Sequence, residues 1–251
     1  MSNTPLWELY KERIEALHDA RLNFDLERRH EYTEANGWHI DHYEGDLPLE
    51  PPGPPLPDGP WYIAQQIMRE YKFPDPGIIT GVYFPDRALE ERVMLLRGKF
   101  LFFTFFFGVK IGGVTDEVRP TTDGPTFVWG FNYQTLEGHF ERGQMDFEVV
   151  KWQDTGRVAF RINAFSQAAE IPNLLYRIGF HLFGRRLQRR FARRSVKRMQ
   201  RLVQEQLAAT ARHEPAPPTG AAPVQPASAE PEAQKAMEDV EASVGESSTS
   251  S

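Results

Sequence analysis

The 251-residue chain contains no cysteine. Disulfides and thiolate chemistry are therefore excluded, and a reducing compartment is compatible with the composition. No Walker loop, GxGxxG, HExxH, GxSxG or zinc-ribbon spacing occurs, so the commonest nucleotide-binding, metalloprotease and serine-hydrolase signatures are missing. The longest apolar run, "FLFFTFFFGV" at 100–109, is too short to cross a bilayer as a helix. The opening stretch, "MSNTPLWELYKERIEALHDARLNFDLERR", is charged throughout and has no signal-peptide apolar region. These absences lead to the expectation of a soluble, cytoplasmic protein. No internal repeat is visible.

What is present is a core-forming composition with an uneven charge. Hydrophobic residues make up 40% and aromatic residues 12%, enough for a sizeable interior. The net charge of −6 conceals a basic segment. From Pro172 to His213 there are eleven Lys/Arg and one acid, Glu205, a local charge of +10 that leaves −16 for the rest. A basic segment on an acidic chain finds an acidic partner inside the molecule or outside it.

Along the chain the hydrophobic period changes twice. Residues 4–36 read as helix, with Thr4 as N-cap, Pro5 at the first helical position, Leu6, Tyr10, Ile14 and Leu17 at helical spacing, and room for a break near Asn23. "GDLPLEPPGPPLPDGP" (45–60) has seven prolines in sixteen residues and reads as an extended connector. A second helix, about 60–71, is halted by "FPDPG". Strands then follow, among them "TFVWGFNY", "QMDFEVV" and "RVAFRINAF", whose strict alternation marks half-buried antiparallel strands. From 171 to 211 the period is helical again, with Phe183, Leu187, Phe191, Ser195 and Met199 on one stripe. The tail holds six prolines and seven acids against one lysine, and too little apolar surface to order it. The expected division is a helical segment (1–44), a connector (45–60), an α+β domain (61–211) and a disordered tail (212–251). The fold class is α+β: a curved antiparallel sheet of about five to seven strands closed by one long C-terminal helix, a geometry that can leave a cavity between them.

Three groups of residues carry candidate chemistry. Phe127, Trp129, Phe131 and Tyr133 alternate on one strand face, either as core or as the wall of an apolar cavity. They lead through Thr135 into the turn "TLEGHFERG", where Gly138 and Gly143 can take positive φ and His139, Glu141 and Arg142 cluster. This is either a solvated hairpin loop or a set of polar groups meeting a ligand. "RRLQRRFARRSVKRMQR" (185–201) carries nine cations in seventeen residues. It reads as a solvated face against the chain's own acids, or as an anionic membrane contact through Arg186, Arg189, Arg190 and Arg193. The acidic remainder argues against nucleic acid. "WHIDHYEGD", with His39, Asp41, His42, Glu44 and Asp46, matches no metal-ligand spacing, so no metal is expected.

The stretches "FNYQTLEGHFERGQMDFEV", "VAFRINAFSQAA" and "LQRRFARRSVKRM" resemble the family catalogued as domain of unknown function 1990. The matching positions are Tyr133, Thr135, Leu136, Gly138, His139, Glu141 and Gly143, then Ala164, Phe165 and Ser166, then Gln188, Arg189 and Arg190, within about 60–205. Glu137 departs from the family's proline, so a less rigid turn is expected. The resemblance implies a START-like, helix-grip protein. Proteins of that superfamily hold a lipid, polyketide or other apolar molecule between sheet and C-terminal helix; some are enzymes and many are carriers or sensors.

Three functions are therefore open at this point. The first is a binding protein for an apolar or amphipathic small molecule, with the aromatic strand as wall and His139, Glu141 and Arg142 at a polar end. The second is a cyclase- or hydrolase-like enzyme with His139 and Glu141 as acid–base pair. The third is a membrane-surface protein using the basic helix. No cofactor is implied, and oligomeric state is not legible.

Overall fold

The computed structural model describes residues 4–100, 103–169 and 174–213. Two short helices, α1 (Leu6–Leu9) and α2 (Lys11–Ala16), precede two 3₁₀ turns and strand β1 (His39–Leu47). Helix α3 (Pro60–Arg69) follows the connector, then β2 (Ile79–Val82), β3 (Val93–Phe100), β4 (Phe103–Thr121), β5 (Gly124–Thr135), β6 (Glu141–Trp152), β7 (Val158–Ala168) and helix α4 (Leu174–His213). The seven strands form one sheet in the order β1-β7-β6-β5-β4-β3-β2, every neighbour antiparallel. Both α3 and α4 pack on the inner face, α4 against β1 and β7, α3 against β5, β6 and β7. This is the helix-grip architecture. Among the described residues no helix is long and apolar enough to cross a membrane. The tail from 214 lies outside the described residues.

Two expectations are corrected. The helical reading of 4–36, broken at most near Asn23, is instead a path broken at Tyr10 and after Ala16 along the outer face. Tyr10 leaves helical geometry (φ −114°, ψ 17°), and α2 ends at Ala16. A continuous helix of that length would run about 50 Å straight. The outer face instead takes its apolar residues in two places. Trp7, Tyr10, Ile14 and Leu17 pack on Val82, Val93 and Leu95, while Phe24, Tyr32 and Trp38 pack on Phe165.

The second correction is β1, hidden in the polar stretch "WHIDHYEGD". Its side chains alternate like any strand's, but polar groups occupy both faces, so no apolar period shows. Several are matched by a partner: Asp41 with Arg185 on the inner face, His42 with Asn163, and Glu44 with Arg157 and Arg161 on the outer face. Gly45 on this strand lets α4 sit close, since a Cβ there would stand 2.3 Å from Val196 Cγ1.

The inner face is packed tightly through its middle. Trp129, Phe131, Phe147 and Phe160 are buried and join Ile67 of α3 and Met199 of α4 in one core. The connector closes one end of this core. Glu50 on the connector and Lys151 on β6 are 1% and 0% exposed and pair at 2.7 Å. Lys151 Nζ also donates to Pro54 O at 2.9 Å. The Glu50 carboxylate accepts the backbone N–H groups of Leu56 (3.0 Å) and Trp61 (2.9 Å). Lys151→Met should therefore strand a buried carboxylate and cost about 3–5 kcal/mol in urea unfolding. A loss under about 1 kcal/mol would mean that the connector reorganises freely around Glu50.

Candidate functional site

The inner face has two unlike halves. Helix α3 starts beside Lys151, near the β6–β7 turn, and covers that half. The other half, beside the β5–β6 turn, carries Tyr133, Met145 and Glu141. Helix α4 runs toward this half: Val196 lies over Gly45, Arg185 pairs with Asp41, and Gln188 donates to Ser166 Oγ at 2.9 Å.

Tyr71 is delivered to the same half by the end of α3. The Tyr71 N–H bonds Met68 O (2.9 Å) and the Lys72 N–H bonds Ile67 O (3.0 Å), the double closure of a helix that normally ends in glycine. Here the left-handed position is a tyrosine with φ 51°. A bulky residue in that region costs on the order of 1 kcal/mol or more. Its ring lies against Gly81, where a Cβ would stand 2.5 Å away. The ring is buried beside Phe73 and Phe147. The Tyr71 hydroxyl is buried and faces the Tyr133 hydroxyl. Tyr133 in turn donates to the Met145 thioether, at 3.5 Å. Burial raises both phenols above their ordinary range, so both stay protonated.

The aromatic strand falls where alternation puts it. Trp129 and Phe131 are buried, with Phe131 and Tyr133 centred 5.4 and 5.3 Å from the Phe147 ring, while Phe127 is partly buried at the edge of the core. Arg69 of α3 lies 4.4 Å from the Trp129 ring centroid. Thr135 holds the turn. Its hydroxyl accepts the Gly143 N–H (2.9 Å) and donates to Asn23 Oδ1 (2.6 Å), and Asn23 Nδ2 donates to Glu141 O (2.8 Å). The N-terminal segment thus clamps the turn, with Leu22 bridged to Leu136. Gly138 and Gly143 have φ of 82° and 144°, and a Cβ on Gly143 would meet Phe165 O at 2.1 Å.

The three polar residues of the turn do not converge. His139 Nδ1 accepts the backbone N–H of Glu141 at 2.9 Å, and its ring packs 5.0 Å from Phe107. Burial lowers its pKa to about 4, and its Nδ1 lone pair is already used, so it is neutral. Glu141 shares the inner face with Met145 and Phe147. Burial raises its carboxyl to about 7, with Arg185 pulling down and Asp41 pushing up. Arg142 points the opposite way. It forks onto Gln167 Oε1, its Nε at 3.0 Å, and lies 5.4 Å from the Trp38 ring. There it edges an open outer groove of about 420 Å³ with Arg28, Glu31 and Tyr32. Among the described residues no three His, Asp or Glu converge as metal ligands.

The cations of α4 divide into two faces. Arg185 forks onto Asp41, Arg194 pairs with Asp75 (2.7 Å), and Arg198 donates to Lys72 O (2.9 Å). Arg186, Arg189, Arg190 and Arg193 are exposed and, among the described residues, have no acidic partner. Their spacing of three and four places them on one helix face. Tyr71 and the Asp41–Arg185 pair are the site residues that sequence reasoning missed. The alternation of "HIDHYEGDL" was the available signal for Asp41, whereas no local signal marks a left-handed tyrosine.

Glu141 and His139 titrate against folding in opposite directions. The fold favours the protonated Glu141 carboxyl, about 7 against 4.5. That stabilisation is full below about pH 4.5 and lost as pH rises through about 7. The fold favours neutral His139, about 4 against 6.5. Its stabilisation is present above about pH 6.5 and lost as pH falls through about 4. Glu141→Gln should thus be roughly 2–3 kcal/mol more stable than wild type at pH 8, with the difference vanishing below pH 4.5. Urea unfolding at both pH values checks this; an equal difference at both would give Glu141 an ordinary carboxyl.

No curated protein matches the sequence. Among solved structures, the chain is similar to Ara h 8.0201, at 11% identity and TM-score 0.39 over 67% of this chain and 99% of that one. It is similar to a Thalictrum flavum norcoclaurine synthase point mutant in complex with a transition-state analogue, at 11% identity and TM-score 0.40 over 67% and 95%. Human STARD10 is a third, at 8% identity and TM-score 0.34 over 85% and 84%. The family model described as domain of unknown function, DUF1990, matches residues 27–198. That span runs from ahead of β1 into the second half of α4, most of the chain and the whole sheet, and the chain belongs to the DUF1990 family.

Proposed function

We propose that the protein binds an apolar or amphipathic small molecule between the inner sheet face and α4, in the half beside the β5–β6 turn. The observation that carries this reading is Tyr71, a buried tyrosine held in left-handed backbone at the end of α3 and turned toward Tyr133. A left-handed tyrosine costs on the order of 1 kcal/mol or more. A ligand seated against the two phenols would make use of that placement. Phe131, Tyr133, Met145 and Phe147 supply the apolar side, and Glu141 lies at the polar end. Thr135 and Arg142 drop out of the ligand set, the first through its turn bonds and the second by pointing outward. The acid–base pair has less support, because His139 is engaged with a backbone N–H and Glu141 would act alone. Native mass spectrometry of protein purified from its own host would identify a tightly held ligand. The neutral dye N-phenyl-1-naphthylamine should bind saturably, and Met145→Trp, which fills this half, should weaken it at least tenfold while circular dichroism is unchanged. Equal binding by the variant would place the dye elsewhere and count against the reading.

A second reading concerns the outer face of α4, where Arg186, Arg189, Arg190 and Arg193 are exposed and have no acidic partner among the described residues. Near an anionic bilayer each is worth roughly 1 kcal/mol. Co-sedimentation with phosphatidylglycerol vesicles is expected at low salt and lost at physiological ionic strength. Changing all four to glutamine should abolish it without unfolding the domain, since none has an acidic partner among the described residues. Wild type that ignores such vesicles at low salt would end this reading.

A further inference from the structure

We infer that the ligand carries a cationic amine, met by the Glu141 carboxylate at the polar end of the inner face; this rests on the binding reading above and names the chemical class the site would take. Glu141 opens β6 and is half-buried on the same face as Met145 and Phe147. The fold uses its backbone and leaves its side chain aside. The Glu141 N–H donates to His139 Nδ1 (2.9 Å) and its carbonyl accepts from Asn23 Nδ2 (2.8 Å), so the turn is closed without the carboxyl. Among the described residues no hydrogen bond and no salt bridge reaches the carboxyl oxygens.

The neighbours of Glu141 are either small or already committed. Across the β6–β7 pair it faces Ala168, and Gly143 stands two residues along its own strand, so neither offers a polar side chain. Thr135 is spent on Gly143 and Asn23, Ser166 accepts from Gln188, and Arg185 forks onto Asp41. Asp41 and Arg185 cancel, which leaves an ionised Glu141 as an uncompensated negative charge beside apolar side chains. Burial accordingly holds the carboxyl above its ordinary range, and its charge reaches the Tyr133 phenol. Glutamine would fill the same place in the strand without that penalty, since burying an unpaired carboxylate costs far more than burying a neutral group. An ammonium supplies the missing positive charge and three donors, for the carboxylate and for the phenol oxygen beside it. An anionic head would add a second uncompensated charge of the same sign, and a pure hydrocarbon would leave Glu141 as it is.

Three naphthalenes of similar shape test the inference on the full chain at neutral pH: 2-naphthylmethylamine, 2-naphthylmethanol and 2-ethylnaphthalene. The amine should bind about tenfold more tightly than either neutral compound, the gain of a charge-assisted hydrogen bond in a half-buried site. Glu141→Gln should bring the amine down to the level of the alcohol and leave hydrocarbon affinity unchanged. Glu137→Gln removes the same charge from an exposed position in the same turn. It should leave the preference intact, which separates Glu141 from the general attraction of an acidic chain for amines. If Glu141→Gln does not fold, the wild-type series still decides. An amine that binds no more tightly than the alcohol, a preference that survives Glu141→Gln, or one lost equally in Glu137→Gln would overturn the amine class and leave the binding reading standing. If none of the three displaces N-phenyl-1-naphthylamine, the binding reading falls and takes this inference with it.

Discussion

The buried Lys151–Glu50 pair decides how the inner face is shared. Removing two charges from water costs several kcal/mol per ion, recovered only where the geometry is good and the remaining valences are met. Here they are met by Pro54 O and by the N–H groups of Leu56 and Trp61. The proline-rich connector is thereby folded back onto the sheet, and the first turn of α3 is fixed beside β6. Its prolines also limit what the unfolded connector can explore, which lowers the entropy lost on ordering it. From that fixed start, α3 has the length to cover one half of the face. Its closing turn sets Tyr71 down at the border of the other half.

Helix α4 grips the sheet from both ends of this arrangement. Arg185 ties it to β1 through Asp41, and Gly45 admits Val196 close to the strand. Farther along, Arg194 and Arg198 hold Asp75 and Lys72 O, in the segment leaving α3. Lys72 is the neighbour of Tyr71, so the helix that roofs the candidate site also steadies the strained tyrosine beneath it. The pairing explains why the basic run is not uniform. Its inward cations are structural, and the outward ones have no acidic partner among the described residues.

The architecture was largely legible because it rests on periodicity. The alternation of "TFVWGFNY" and "RVAFRINAF" and the helical stripe through Phe191 and Met199 each follow from burying one face of a regular element. The failures have physical causes too. Strand β1 pairs polar groups on both faces and so shows no apolar alternation. The N-terminal segment has helical spacing but spreads its apolar residues over two separate patches of a curved surface, which no straight helix can reach. At the site, the turn "TLEGHFERG" was found, yet the parity of β6 sends Glu141 inward and Arg142 outward. The one-residue step between them decides their faces, and only the observed register fixes it. Tyr71 was invisible because the conformation that matters, φ 51°, is one that sequence rules reserve for glycine or asparagine.

A sequence that specifies one fold keeps its local choices consistent with the whole, and departures gather where function demands them. In this chain two departures lie close together. A tyrosine stands where a glycine would relax the helix end, and a glutamate faces the inner side of the sheet. Both lie in the half of the inner face that α3 leaves uncovered. Others lie elsewhere: Asp58 in the connector is also left-handed, and Arg92 Nε and Asn132 Oδ1 are buried without a partner among the described residues. What sets Tyr71 apart is therefore its combination of strain, full burial and placement beside Tyr133, since the connector can relax around Asp58 at the surface and a tyrosine packed on Gly81 cannot move.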